Sequence, residues 1–411
     1  MNKDELIESG NMKMGWARDH MPVLAVIREQ FEREKPLKGH RVGMALHVEA
    51  KTAVLVETLA AGGAEVAICG CNPLSTQDDV AQALDTRDNI SCYAKYACTN
   101  DEYYEAIDKV LDFDPDITID DGADLIFKMH TERKEMLATI IGGCEETTTG
   151  IHRLKAMERD GALNMPVIAV NDAMTKFMFD NRYGTGQSSW DGINRTTNLL
   201  VAGKNVVIAG YGWCGKGATM RAVGLGANVI VTEIDTIRAL EARMDGNEVM
   251  TMKEAAKIGD IFVTTTGNRD ILTKEHFGIM KDGAILANSG HFNVEINLDD
   301  LTVMAKSIKT VRNNIKEYDI GDRRINVIAD GRLVNLAAGD GHPAEVMDMS
   351  FANQALCVRY IAENKLVNGV HAVPHDLDMY VAKLKLEAMG IEIDELTSEQ
   401  SEYMCGWECG T

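Results

Sequence analysis

The stretch KNVVIAGYGWCGKGATMRAV, residues 204–223, constrains the fold more than any other part of the chain. An apolar strand runs into Gly210, Gly212 and Gly215, spaced G-x-G-x-x-G, and a helix follows. A strand that feeds a helix through such a turn is half of a βαβ unit, and these units stack into parallel sheets covered by helices. Gly210 permits the tight turn, Gly212 lets backbone approach a pyrophosphate, and Gly215 lets helix and strand pack closely. The helix N-terminus then faces the anion. Glu233 ends the next strand, ANVIVTE. A carboxylate there accepts from a ribose 2′-hydroxyl and repels a 2′-phosphate, which favours NAD over NADP. Arg238, just downstream, leaves NADP open. The bland alternative is a glycine turn in an unrelated α/β domain.

A second strand–helix alternation precedes this one. RVGMALHV reads as a strand, KTAVLVETLAAGG as a helix and AEVAICG as a strand. DITID, the run Thr139–Gly142 and VIAV are further strand candidates. After the glycine motif, DIFVTTTG, GAILANSG and RRINVIADGRLVNL continue the second sheet. The fold class expected is α/β: two Rossmann-like parallel-sheet domains plus a short C-terminal helical tail. The expected divisions are 1–183 for a substrate-binding domain, 184–340 for the NAD-binding domain, 341–372 for a return to the first domain, and 373–411 for a tail in oligomer contacts. DNRYGTGQSSWDGINR, rich in glycine and polar residues, reads as the hinge between domains.

With 411 residues the chain exceeds one hydrophobic core. Its formal charge of −21 disfavours nucleic acid, which needs clustered Lys and Arg. No apolar run reaches the length of a membrane span, and MNKDELIESG is too polar for a secretory signal. Nine scattered cysteines suit free thiols in a reducing cytoplasm. Cys405 and Cys409 lie close together near the C-terminus, but no metal site is expected there.

Chemically capable side chains cluster just past strand ends, where ligands bind in open parallel sheets. His47 follows RVGMAL; Asp120, Asp121 and Asp124 follow DITI. Glu146 and Thr147-Thr148-Thr149 follow the strand near 140; Lys176 and Asp180 follow VIAV, four apart on one helical face. Each has an ordinary alternative when taken singly: a satisfied histidine, a turn, a surface ion pair.

The segments LHVEAKTAVLVETL, STQDD, IDDGADL, EETTTGIHRL, VNDAMTKFMFDN, GYGWCGKG, NSGHF, GRLVNLAAGDGHP and MSFANQ, in order from about residue 37 to 355, resemble the S-adenosylhomocysteine hydrolases. The resemblance implies an NAD-containing enzyme of the cytoplasm, usually a homotetramer, with neither nucleic acid nor membrane as partner. Its members oxidise the ribose 3′-hydroxyl to a ketone, which acidifies the C4′ proton. Homocysteine then leaves C5′ by elimination, water adds, and the hydride returns. By this analogy Lys176 and Asp180 sit at the 3′-hydroxyl, with Lys176, desolvated and of lowered pKa, assisting deprotonation. Asp121 and His47 handle protons near C4′ and C5′, Glu146 binds ribose hydroxyls, and His291 with Phe292 gates the homocysteine channel. Asn181, Asn335, Thr147, Thr148 and Thr149 contact NAD, while His342, Met347 and Phe351 line the nucleoside side.

One departure bears on the substrate. Relatives acting on adenosylhomocysteine resemble His-x-Thr-x-Glu, whereas this chain reads His47-Val-Glu49-Ala-Lys51. Hypoxanthine presents an acceptor at O6 and a donor at N1, the reverse of adenine. Lysine only donates and ionised glutamate only accepts. Lys51 to O6 and Glu49 to N1–H would satisfy hypoxanthine, which points to S-inosyl-L-homocysteine. Two alternatives stay open: the pair turns to solvent at a helix start, or Glu49 reaches an adenine amino group. Thr185 stands where many relatives have cysteine, and Asp340 where they often have methionine. The ending YMCGWECGT lacks the Lys- and Tyr-bearing tail of longer relatives. A non-catalytic NAD-binding regulator and a 2-hydroxyacid dehydrogenase are the rival classes. The intact polar constellation argues against the first, and EETTTG with TKFMFDN against the second.

Overall fold

The computed structural model describes residues 2–407. Its first sheet has seven parallel strands in the spatial order Gly369–Ala372, Pro166–Ala169, Gly142–Glu145, Ile117–Asp120, Arg41–Ala45, Glu65–Cys69, Ile90–Cys92. From Arg41–Ala45 the chain winds outward one way, then returns to Ile117–Asp120 and winds the other way. The strand order therefore reverses between these two, and the crevice lies outside their carboxyl ends. His47 and Asp121 stand there. The inner strands are buried on both faces, as all-parallel sheets require.

The second sheet has eight strands: Ser307–Arg312, Ile315–Asp319, Arg324–Ile328, Ala284–Asn288, Ile261–Thr264, Asn205–Ala209, Asn228–Thr232, Glu248–Val249. Its reversal lies between Asn205–Ala209 and Ile261–Thr264, beside Gly210. The expectation of parallel sheets needs one correction here. Ile315–Asp319 pairs antiparallel on both sides and carries Ser307–Arg312 at the edge. Those edge residues are exposed on both faces, so their sequence lacks the buried-strand pattern that marks the rest.

Three local expectations also change. The strand placed at 139–142 runs Gly142–Glu145, after a 3₁₀ turn at Lys134–Ala138. Its glycines hide it: a Cβ on Gly142 would press Ile361 at 2.8 Å. The proposed hinge is helical throughout, Phe177–Gly184 in π geometry and Thr185–Thr197 in α. Its glycines serve close packing rather than flexibility. A Cβ on Gly186 would lie 2.6 Å from the Gly217 carbonyl, and one on Gly192 2.7 Å from that of Val334. Lys176 and Asp180 thus flank the junction of a short α-turn and a π-helix rather than one regular α-helical face.

Helix Ala344–Glu363 lies in the first domain's core through Phe351, Ala352, Ala355 and Val358. Helices Lys3–Asp19 and Pro22–Glu34 cover the same core through Met14, Leu24, Ile27 and Phe31. Helix His375–Ala388 packs there too, through Val381 and Leu384, so the expected tail begins in fact beyond Met389. Cys409 lies outside the described residues. No helix among those described is long and apolar enough to cross a membrane.

Candidate active site

Both sheets open their carboxyl ends onto one cleft of about 890 Å³. All the site residues expected from the sequence line it except Gly215 and Phe292. Gly215 lies behind the turn, where a Cβ would overlap the carbonyl oxygen of Gly210.

On the first-domain wall, the π-helical turn stacks three polar side chains. Lys176 Nζ donates to Asn181 Oδ1 at 2.8 Å and lies 3.2 Å from Asp180 and 3.4 Å from Glu146. Burial opposes the lysine charge, but Asp180 and Glu146 outweigh it and hold the pKa above its ordinary value. The expected lowered pKa is therefore corrected: two carboxylates face this ammonium, and they keep it charged. Burial likewise opposes ionisation of Asp180, yet Lys176 and the contacting His342 ring hold its pKa well below the usual range. Ser350 Oγ donates to Asp180 at 2.7 Å. Glu146 accepts from Gln354 at 2.5 Å, and burial raises its pKa to about 7 against the pull of Lys176.

A second group sits at the strand reversal. His47 Nε2 lies 3.4 Å from Asp121, and His291 Nδ1 reaches the other Asp121 oxygen at 3.5 Å. His47 Nδ1 meets Ser75 Oγ at 2.7 Å and Cys71 Sγ at 3.2 Å. Burial lowers the His47 pKa to about 4, so the ring is neutral near pH 7. Gly122, at φ +100°, lets His291 lean in, because a Cβ there would overlap the imidazole. Phe292 meets His291 edge-on at 4.7 Å. Asp120 and Asp124 point elsewhere. Asp120 accepts backbone N–H groups of Asp121 and Ile126, and Asp124 pairs with Arg153 at 2.6 Å.

Glu49 and Lys51 are both buried, which removes the solvent-facing alternative. Glu49 caps helix Ala50–Ala61: its oxygens accept from Lys51 N and Thr52 N, while the Thr52 hydroxyl gives its one proton to the His47 carbonyl at 2.6 Å. Lys51 Nζ adds a third partner at 2.5 Å. A carboxylate offers about four lone pairs, so this one keeps one free, on the oxygen that accepts from Thr52 N. Lys51 Nζ also donates to the Asp340 carbonyl at 2.7 Å, which leaves one N–H unspent on a side chain that lines the cleft.

The second-domain wall fits a dinucleotide. Gly210 adopts φ +94°, and a Cβ on Gly212 would meet nothing nearer than Arg238 at 3.6 Å, so backbone is open to a phosphate. Glu233 is pinned at the strand end by the N–H groups of Tyr211, Ile234 and Asp235. Asn335 donates to Ser188, while its buried Oδ1 has no partner. From across the cleft, helix Thr148–Arg159 presents its N-terminus, with Thr148 hydrogen-bonded to Asn171. Ser75, Ser350 and Gln354 lie in the segments STQDD and MSFANQ, but the sequence alone assigns them no role, and Cys71 lies in none of the segments that carry the resemblance. Their part is visible only once distant segments meet.

A family model described as the NAD-binding domain of S-adenosyl-L-homocysteine hydrolase matches residues 181–341. A second, of S-adenosyl-L-homocysteine hydrolase, matches residues 2–136. A Methanosarcina mazei protein named S-inosyl-L-homocysteine hydrolase is 81% identical over 411 residues, all of both chains. An Archaeoglobus fulgidus protein named adenosylhomocysteinase is 63% identical, over 98% of this chain and 100% of its own. Among solved structures, a dipicolinate synthase chain from Bacillus halodurans shares the fold: TM-score 0.51, 13% identity, 80% of this chain and 100% of that one. The chain belongs to the S-adenosyl-L-homocysteine hydrolase family, NAD-dependent hydrolases of a homocysteine thioether.

Proposed function

We propose that the chain cleaves S-inosyl-L-homocysteine to inosine and L-homocysteine. The observation that carries the choice of base is the Lys51 ammonium, buried in the cleft with one N–H unspent. It matches the O6 acceptor of hypoxanthine and opposes the amino group of adenine. A buried donor facing a donor costs roughly 1–3 kcal/mol, enough to reject a close analogue. Glu49 orients Lys51 and keeps one acceptor position, on the oxygen that takes Thr52 N, for N1–H of the same base.

Gly210, Gly212, Glu233, Asn335 and Asn181 would hold NAD, with Thr147, Thr148 and Thr149 closing from the opposite wall. Bound there, NAD supplies a hydride acceptor at the ribose 3′-carbon and later the same hydride as donor. Lys176 meets the 3′-hydroxyl as a cation that stabilises the developing oxyanion, while the hydroxyl proton passes to Glu146, the carboxylate beside that ammonium whose pKa lies at about 7. Asp180, ionised between Lys176 and His342, fixes that ammonium. Glu146 accepts from ribose hydroxyls. Neutral His47, with Asp121, moves the C4′ proton and protonates the departing sulfur. His291 and Phe292 cover the homocysteine side, and Met347 and Phe351 pack the nucleoside. The 63% identical relative named adenosylhomocysteinase keeps the adenosyl thioether as the competing substrate. Supplying each thioether separately and identifying the released nucleoside decides the matter. Faster release of adenosine rejects the inosyl reading.

We further propose that the chain self-assembles, as a homotetramer in the cytoplasm. Helix Ser398–Cys405 buries none of its residues, and Tyr403, Met404 and Trp407 lie bare. Ile234, Ile237, Leu240 and Met244 form a second uncovered apolar stripe on and beside helix Thr236–Met244. Both surfaces gain from a neighbouring copy. Cys69, Cys71, Cys144 and Cys357 are buried free thiols, which suits a reducing compartment.

A further inference from the structure

Two acidic doublets end neighbouring strands: Asp120-Asp121 and Glu145-Glu146. Asp120 and Glu145 are cross-strand partners, and both are fully buried. The second residue of each doublet lines the cleft, and the first does not. Glu145 Oε1 accepts two backbone amides, Gly122 N at 2.8 Å and Thr147 N at 3.0 Å. Gly122 directly follows Asp121, and Thr147 directly follows Glu146. One buried oxygen thus ties together the two loops that carry the cleft carboxylates. Gly150 is shaped to this carboxyl, because a Cβ there would overlap it.

We propose that Glu145 is a positioning residue, setting the separation of Asp121 and Glu146 through the single oxygen shared by Gly122 and Thr147. The inference rests on the reading of Asp121 and Glu146 as substrate-facing groups. Both hydrogen-bond partners of Glu145 are neutral amides, and its Oε2 has no partner. The charged groups nearest it, Asp120 and Asp121, are acids, and burial first, then these two, push its pKa up. Arg153, the nearby cation, is taken by Asp124 and by the Gly122 carbonyl. Glu145 therefore acts as a neutral acid, for which glutamine is a close copy: its carbonyl still accepts both amides.

The experiment compares Glu145→Gln, Glu145→Leu and Gly150→Ala with the wild-type holoenzyme, with kcat expressed per NAD-loaded site. Two lost hydrogen bonds of about 1 kcal/mol each correspond to a fall in kcat of about tenfold or more. The expected pattern is that fall in Glu145→Leu and Gly150→Ala, with Glu145→Gln near wild type. Hydrogen exchange at the amides of Gly122 and Thr147 reads the tie directly, whatever the activity. It should stay slow in Glu145→Gln and become fast in Glu145→Leu. A protonated-carboxyl infrared band present in wild type and lost in Glu145→Gln reports the neutral acid. Loss of activity in Glu145→Gln equal to that in Glu145→Leu, or unchanged exchange in Glu145→Leu, overturns the proposal. If wild type cleaves neither thioether, the functional reading fails, and amide exchange still decides whether Glu145 ties the loops. Should Glu145→Leu fail to fold, Glu145→Gln and Gly150→Ala decide it.

Discussion

Replacing Lys51 by methionine is the sharpest perturbation of the substrate assignment. The side chain keeps its length and apolar stem but loses the ammonium. That ammonium spends two of its three N–H groups on Glu49 and the Asp340 carbonyl and has one for the base. A charge-assisted hydrogen bond to O6 contributes about 1.5–3 kcal/mol, which is roughly a 10- to 150-fold loss in kcat/KM for the inosyl thioether. The adenosyl thioether gains or holds, because the opposed donor has gone. Some damage is common to both substrates, since Glu49 loses its partner in a buried site. Its cap bonds to Lys51 N and Thr52 N remain, so the helix start survives. Common damage cancels in a ratio. The assay is therefore kcat/KM on both thioethers with one enzyme preparation, and the ratio of inosyl to adenosyl should fall about tenfold or more. An unchanged ratio, however low the activity, would refute the reasoning, because Lys51 would then not distinguish the bases.

Glu146 carries a pH signature. Its folded pKa of about 7 lies above the ordinary 4.5, so its proton stabilises the fold fully below about 4.5, and this stabilisation is lost as pH rises through 7. Glu146→Gln, a permanent mimic of the protonated form, should gain melting temperature over wild type more at about pH 8 than at pH 5. The wild-type turnover limb near 7 should vanish in that variant, while His47, neutral down to about 4, adds no limb above it. Glu233→Ala should weaken NAD binding roughly 10- to 150-fold, for a lost charge-assisted bond, and narrow the preference over NADP; calorimetry on apoprotein measures both. Lys176→Ala should abolish substrate-dependent NADH absorbance while NAD remains bound; normal absorbance would remove Lys176 from the 3′-oxidation. Deleting residues 390–411 should lower the assembly state in sedimentation equilibrium, and an unchanged mass would place the interface elsewhere.

The second sheet is readable in the sequence because its strands are continuous apolar runs and its glycine spacing occurs between a strand and a helix. Its antiparallel edge is not, since Ser307–Arg312 is solvated and carries no apolar pattern. The supposed hinge at 180–195 shows where composition misleads. Glycine signals either freedom or close approach, and only the neighbours distinguish them. Here the neighbours are Gly217 and Val334, backbone reached from far along the chain. The same holds for the strand Gly142–Glu145, whose glycines make room for Ile361 and Thr118. Local propensity is overridden in both places by packing that no short window of sequence contains.

In the site, the residue types are legible in the sequence and their states are not. Lys176, Asp180 and Glu146 can be gathered from strand ends, but a lysine's charge depends on how many carboxylates surround it. Burial alone would lower its pKa; Asp180 and Glu146 reverse the sign. Similarly, Glu49 and Lys51 look in the sequence like two independent contacts to one base. In space they form one unit: the carboxylate caps its own helix start and holds the lysine, and each keeps one hydrogen-bonding position. The chemistry of the pair is thus that of an oriented donor beside an acceptor. A base with an acceptor at O6 completes it, and a base with a donor there leaves two N–H groups in opposition within a buried wall.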